Sequence, residues 1–264
     1  MTDSDLWPLF QDLRFAGQRV HPSHGPCFVA EGRILVEDLL AWGRAGKVEV
    51  VAVLAELGSA DAVRPLLPAA TRLLTATKAE LEALAGFPFH RGLLAAARVP
   101  LPLGPERLRA CRRLLVLPAL ADAENLGQLL RSAAALGLDG ALLGPGPDPF
   151  SRRVVRVSMG TAWKLPVWSS PDVWNELQGW RQEGGQVTAA ALTPLSLPLR
   201  QWAPGDRTAL VLGPEGPGLP AADLARCDNA IRITMAAGVD SLNVAAAGAI
   251  LMHWLMTQPT VASR

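Results

Sequence analysis

The sequence predicts an α/β protein: a C-terminal, mainly parallel sheet with helices on both faces, preceded by a smaller α/β domain. Three observations predict it. After residue 111, short apolar runs such as RLLVLPAL, DGALLGP, QVTAAAL and TALVLG alternate with segments of helical period. A shorter alternation of the same kind ends near Arg98. Between them, RVPLPLGPERL holds three prolines and a glycine and reads as a linker. The expected divisions are a domain over 1–98, a linker over 99–110 and a second domain over 111–264.

In the front part, FVAEGRILVEDLLAWG reads as a strand and then an amphipathic helix, and VEVVAVLAE as a buried strand. AVRPLLPAATRLL reads as a helix start interrupted by proline, KAELEALAG as a helix closed by Gly86, and GLLAAARV as a strand. Past the linker, RLLVLPAL is a strand. AENLGQLLRSAAALG is a helix closed by Gly137, with Leu126, Leu129, Leu130 and Leu136 on its buried side. DGALLGP is a strand, RRVVRVSMG a short basic helix or turn, KLPVWS a strand and DVWNELQGWRQEG a helix. QVTAAAL, TALVLG and AIRITM are strands, and PAADLARC is a short helix. The last helix is expected from near Ser241 to about Met256, with Asp240 and Ser241 as its capping groups.

Half of the 264 residues are hydrophobic, enough for a substantial core. The acidic start Met1-Thr2-Asp3-Ser4-Asp5 is unlike a signal peptide, and no apolar stretch reaches the ~20 residues of a membrane helix. The expectation is a soluble cytoplasmic protein with no membrane partner. Cys27, Cys111 and Cys227 are odd in number and far apart, and His21, His24, His90 and His253 are scattered, so no metal is expected. Net charge is +1, without the overall basic footprint usual for a nucleic-acid partner. Basic residues cluster at Arg107, Arg109, Arg112 and Arg113 and at Arg152, Arg153 and Arg156; each cluster by itself reads as a solvated helix face.

Three segments carry the chemistry. ITMAAGVDSLNVAAAGAI joins an apolar strand, a turn at Gly238 and the triplet Ser241-Leu242-Asn243 to a helix start of alanine and glycine, which lets another group approach the backbone closely. GPEGPGLP follows the strand TALVLG, so it lies at the carboxyl end of a sheet strand, where open α/β sheets bind ligands. It lacks the Gly-Lys-Ser/Thr of a P-loop and is not GxGxxG, and no GxSxG elbow occurs. In NLGQLLR, Asn125 and Gln128 share a helix face with Ser132, flanked by Arg131. Taken singly, the second segment reads as a tight connector and the third as a polar helix side.

Together and in order, NxGxxxR, LGPEGPGL and IxMxxxxxSLNVAxA resemble the three motifs of the SpoU (TrmH-like) branch of the SPOUT RNA methyltransferases, over most of residues 111–256. RRVVRVSMGTAWKLPVW resembles a supporting segment of that family, and CFVAEGRILVEDLL to GLLAAARVP resembles its fused substrate-binding domain, which is like a ribosomal-protein fold. Thr234 stands where the family commonly has proline. The resemblance implies a C-terminal domain with a deep trefoil knot, and chain segments crossing at short range would account for the bare surface from Ala245 to Gly248. It implies S-adenosylmethionine held by backbone groups at Gly213, Ile233 and Leu242, with Leu192, Thr193 and Met235 lining the same pocket. It implies methyl transfer to a ribose 2′-hydroxyl of RNA, with Arg131 as the catalytic arginine and Asn125, Glu215, Ser241 and Asn243 orienting it, the loops and the ribose. It further implies a homodimer whose front domain selects RNA, with rRNA favoured. That domain's 10 Lys/Arg against 11 Asp/Glu through Arg98 make local patches and shape the means of binding. A tRNA 2′-O-methyltransferase and a non-catalytic knotted dimer binding cofactor and RNA are the alternatives.

Overall fold

The computed structural model describes residues 3–14, 17–87, 92–239 and 241–258; His90 and Asp240 lie outside the described residues. The chain forms two compact units, Met1–Leu101 with Asp148–Trp163, and Pro102–Pro147 with Lys164–Arg264.

The first unit holds β1 (Arg19–His21), β2 (Gly25–Glu31), α1 (Arg33–Arg44), β3 (Val50–Glu56), α2 (Ala60–Val63), β4 (Arg72–Ala76), α3 (Lys78–Ala85) and β5 (Leu93–Arg98). Its sheet runs β1-β2-β5-β3-β4, with the β3–β4 pair parallel and the other pairs antiparallel. Side chains alternate along β2: Phe28 and Ala30 join the core under Leu35, Val36, Leu39 and Leu40 of α1, while Cys27 and Val29 join the core of Leu81 and Ala85 of α3. Leu6, Leu9, Phe10 and Leu13 complete that second core, an N-terminal contribution for which the strand–helix alternation gave no signal.

AVRPLLPAATRLL differs from the expectation. Its helical path ends in a 3₁₀ turn, Arg64–Leu66, and its last three residues open β4, with Leu74 buried. Pro65 and Pro68 withhold backbone donors from a longer helix, and the chain gains a parallel ladder beside β3 in exchange.

The second unit begins with α4 (Pro105–Ala110), inside the segment expected as linker. Pro105 sits in the first turn, where its missing N–H costs no helical bond, and Leu108 is buried. There follow β6 (Arg113–Leu117), α5 (Ala123–Leu136) and β7 (Gly140–Leu143). The chain then visits the first unit with α6 (Arg152–Val157). It returns for β8 (Val167–Ser169), α7 (Val173–Gln182), β9 (Gln186–Ala190), β10 (Leu197–Pro198), β11 (Thr208–Leu212), α8 (Ala221–Leu224), β12 (Asn229–Arg232) and α9 (Val244–Thr257). The excursion has a physical anchor: Trp163 stacks on Phe28 at 5.5 Å between ring centroids, and Val155 joins the same core. Arg152 reaches Glu31 at 3.4 Å.

The sheet order is β10-β12-β9-β11-β6-β7-β8, every pair parallel. β6 and β11 are buried along their whole length, as strands covered on both faces must be. Leu108 of α4 and Leu177 and Trp180 of α7 cover one face, and the Trp180 indole N–H donates to the Cys111 carbonyl at 2.8 Å. On the other face α9 packs on α5 and β11. A Cβ on Gly248 would lie 2.4 Å from Leu129 Cδ2 and 2.9 Å from Leu212 Cδ1, so the helix approaches only because that side chain is absent. No helix among the described residues is long and apolar enough to cross a membrane.

Candidate active site

β12, β9 and β11 are neighbours in the sheet, so the loops leaving their carboxyl ends are neighbours as well. Ligands of open α/β sheets bind outside the carboxyl ends of the strands, which is where these three loops lie. The loops enclose a cleft of about 530 Å³, within the usual range for small-molecule and cofactor sites. Leu192, Thr193, Gly213, Ile233, Met235 and Leu242 all line it, as do Glu215, Ser241 and Asn243. Asn125 and Arg131 lie outside this lining.

The Gly213 position is as restricted as Gly248. A Cβ there would meet the Leu219 nitrogen at 2.6 Å, because the loop folds back on itself. The Gly218 N–H donates to the Pro214 carbonyl at 3.2 Å and closes the bend.

Asn243 ties the three motifs together. Its Nδ2 donates to Oδ1 of Asn125 at 3.0 Å and to Oε1 of Glu215 at 2.8 Å. Its Oδ1 accepts from the backbone N–H of Ala245 at 2.9 Å and of Ala246 at 3.3 Å. These partners fix which end of the amide is which, since a flipped group would set NH₂ against two donors. Asn243 therefore caps α9, which corrects the expected start at Ser241. Its side chain reaches the second and third helical N–H groups, and Ser241 is left to line the cleft.

Asn125 is buried in the first turn of α5, and its own N–H is held by Oδ1 of Asp122 at 2.8 Å. Asp122 is a capping residue the motif reading did not name, although an acid just before a periodic helix is a standard start signal. Arg131 lies six residues beyond Asn125, about 9 Å along the helix axis, and is exposed. It takes no part in the Asn243 network. Arg232 is a cleft-lining cation that the motif reading also omitted.

Burial pushes the thiols of Cys27, Cys111 and Cys227 up to about 11, so all three stay protonated near neutral pH and are poor nucleophiles. Among the described residues no group of three or more His, Cys, Asp or Glu side chains is gathered as a metal site requires.

The SpoU rRNA Methylase family model matches residues 112–253, more than half of the chain. The chain belongs to the SpoU rRNA methylase family. An uncharacterized tRNA/rRNA methyltransferase of Mycobacterium tuberculosis is 42% identical over 175 residues, 64% of this chain and 60% of the relative. The 23S rRNA (guanosine(2553)-2′-O)-methyltransferase RlmP of Bacillus subtilis is 35% identical over 153 residues, 57% of this chain and 60% of the relative. The chain thus spans about 60% of the length of these relatives. The structure of an AdoMet-bound rRNA methyltransferase from Sinorhizobium meliloti is similar, with a TM-score of 0.71 at 24% identity, covering 87% of this chain and 86% of that one. At that identity the likeness speaks for a shared fold. All three segments that bear on the cleft fall inside the SpoU match.

Proposed function

We propose that this chain is an S-adenosylmethionine-dependent RNA methyltransferase that transfers a methyl group to a ribose 2′-hydroxyl, in rRNA. The observation that carries this reading is the Asn243 amide, which joins one polar residue from each SpoU motif at the edge of a cleft on the sheet's carboxyl side. The name of the Bacillus subtilis relative supports ribose in 23S rRNA as the target. The cleft suits a nucleoside cofactor: its lining is mostly apolar and glycine-rich, so loop backbone groups are free to be the recognition elements, and at Gly213 no side chain intrudes. The AdoMet bound to the Sinorhizobium meliloti neighbour supports the choice of donor.

When bound, S-adenosylmethionine supplies an electrophilic methyl on a positively charged sulfur. The protein's task is to place the hydroxyl in line with it and help the proton leave. Positioning alone can lower such a barrier by roughly 7–11 kcal/mol at best. A guanidinium is effectively always charged, so Arg131 does not act as the base. It grips the phosphate beside the target ribose and stabilises the developing alkoxide, while the proton leaves to phosphate or water. Asn243 holds Glu215 and Asn125 in register, and Ser241 and Glu215 face the ribose. Leu192, Thr193, Gly213, Ile233, Met235 and Leu242 hold the donor. Arg131→Ala tests this assignment: calorimetric cofactor binding is retained and tritium transfer to RNA is lost, whereas undiminished turnover removes Arg131 from the mechanism.

We also propose a trefoil knot in the C-terminal half and a homodimer. The short approach of α9 to Leu129 and Leu212 supports the first. The exposed Ile250, on a helix apolar nearly all round, supports the second. A monomeric mass in analytical ultracentrifugation at micromolar concentration contradicts the dimer. The first unit, proposed as the RNA-selecting domain, gains Arg152, Arg153 and Arg156 against Asp148 through the α6 excursion, so its slightly negative count becomes slightly positive. Its deletion is tested by taking 148–163 out as well, because removing 1–98 alone bares Val155 and Trp163.

A further inference from the structure

Among the described residues two charged side chains line the cleft, Glu215 and Arg232. Glu215 is exposed and accepts from Asn243. Arg232, the last residue of β12, is half-buried, and its Nη1 donates to the Ser196 carbonyl at 2.7 Å and the Thr193 carbonyl at 3.4 Å. Those carbonyls belong to a turn already closed by its own bonds. The Ser196 N–H meets the Thr193 carbonyl at 3.1 Å, and the two hydroxyl oxygens lie 2.9 Å apart. The guanidinium is thus held at one nitrogen against a firm support.

Among the described residues no carboxylate pairs with Arg232. A half-buried cation held only by neutral oxygens is a ready partner for an incoming anion. Carbonyl oxygens satisfy N–H donors but leave the charge unbalanced. A guanidinium keeps five donors in a planar fork that matches a carboxylate, and among the described residues only Nη1 of Arg232 is engaged. The donor proposed above carries one anionic group, the carboxylate of its amino-acid end.

We infer that Arg232 binds the carboxylate of the cofactor's amino-acid end and makes the cleft select the complete cofactor over its truncated nucleoside. The inference rests on the cofactor reading and adds a specificity residue to it. The apolar loops recognise the nucleoside, and the fork recognises the far end.

The test is calorimetric titration of the full chain with S-adenosylhomocysteine and with 5′-methylthioadenosine, which keeps the nucleoside and thioether but lacks the amino-acid end. Wild type binds the former more tightly. Arg232→Met weakens S-adenosylhomocysteine by about tenfold or more, the scale of a charge-assisted pair, and leaves 5′-methylthioadenosine within about twofold. Arg232→Gln keeps a donor for the Ser196 carbonyl without the charge. It loses the same preference while holding the wild-type melting temperature, which covers the case in which the methionine variant folds poorly. Equal weakening of both ligands in both variants overturns the inference, because it assigns Arg232 to bracing the turn alone. A wild-type chain that binds neither ligand overturns the cofactor reading and this inference with it.

Discussion

Helices α5 and α9 lie side by side and start at the same edge of the sheet, yet their caps do different work. Asp122 caps α5 by accepting from Glu124 and Asn125, both at 2.8 Å, and its carboxylate has only acceptors to offer. Asn243 caps α9 in the same manner, but its amide carries two donors on the other end, and both are used, on Asn125 and Glu215. Cap strength alone does not separate aspartate from asparagine, which rank alike at helix starts. The difference is what remains after capping. One residue completes a helix, and the other completes a helix and joins two loops to it.

The sharpest way to break this comparison is to make the two caps alike. Asn243→Asp keeps the α9 cap, removes both donors and sets a second carboxylate against Glu215. Methyl transfer under single-turnover conditions is expected to fall on the order of 100-fold, the scale of losing an oriented donor from an active site. The far-UV signal should stay near wild type, since the cap survives, while the urea midpoint falls modestly because buried Asn125 loses a donor and two carboxylates meet. Turnover at the wild-type level would mean that the Asn243 joint has no part in the chemistry.

The interface between the two helices gives the next effect. Gly248 of α9 sits where a side chain would run into Leu129 of α5 and Leu212. Gly248→Val is expected to cost about 1–3 kcal/mol in urea denaturation, as overpacking does. Leu129→Ala in the same chain should recover part of the loss, because it empties the space the valine needs. Additive losses in the double variant would show that the helices do not meet there.

The two helices were also unequally legible. Leu126, Leu129 and Leu130 mark the buried side of α5 at helical spacing, and its ends fall where the sequence puts them, while Leu136, expected on the same side, is only half-buried in the last turn. α9 is apolar nearly all round, so periodicity gives no face, and the sequence leaves its start open between Ser241 and Asn243, both good caps, of which the structure uses Asn243. Only the structure shows which oxygen reaches the helix N–H groups. The parallel sheet was legible for a simple reason: strands buried on both faces read as unbroken apolar runs. The α6 excursion was not. RRVVRV is amphipathic whichever unit it packs on, and the partner that decides, Phe28, lies far away in sequence. The cleft loops are legible as motifs, but Arg232 is not, because one arginine at the end of a strand has no pattern; its place in the cleft lining and its hold on the Ser196 carbonyl come from the structure.

The smallest effect belongs to the α5 cap and bounds the comparison from the other side. Asp122→Asn leaves an acceptor for the Glu124 and Asn125 N–H groups, so stability should change by no more than a few tenths of a kcal/mol. Asp122→Ala removes the acceptor and should cost about 1 kcal/mol in thermal or urea unfolding. Neither change touches a donor that Asn243, Asn125 or Glu215 uses through its side chain, so kcat should follow wild type in both once the folded fraction is taken into account. If Asp122→Asn alone lowered kcat tenfold, a carboxylate at the α5 start would be part of the reaction. The position of Asn125 would then depend on charge at Asp122 as well as on the hydrogen bond it receives, and the division of labour between the two caps would fail.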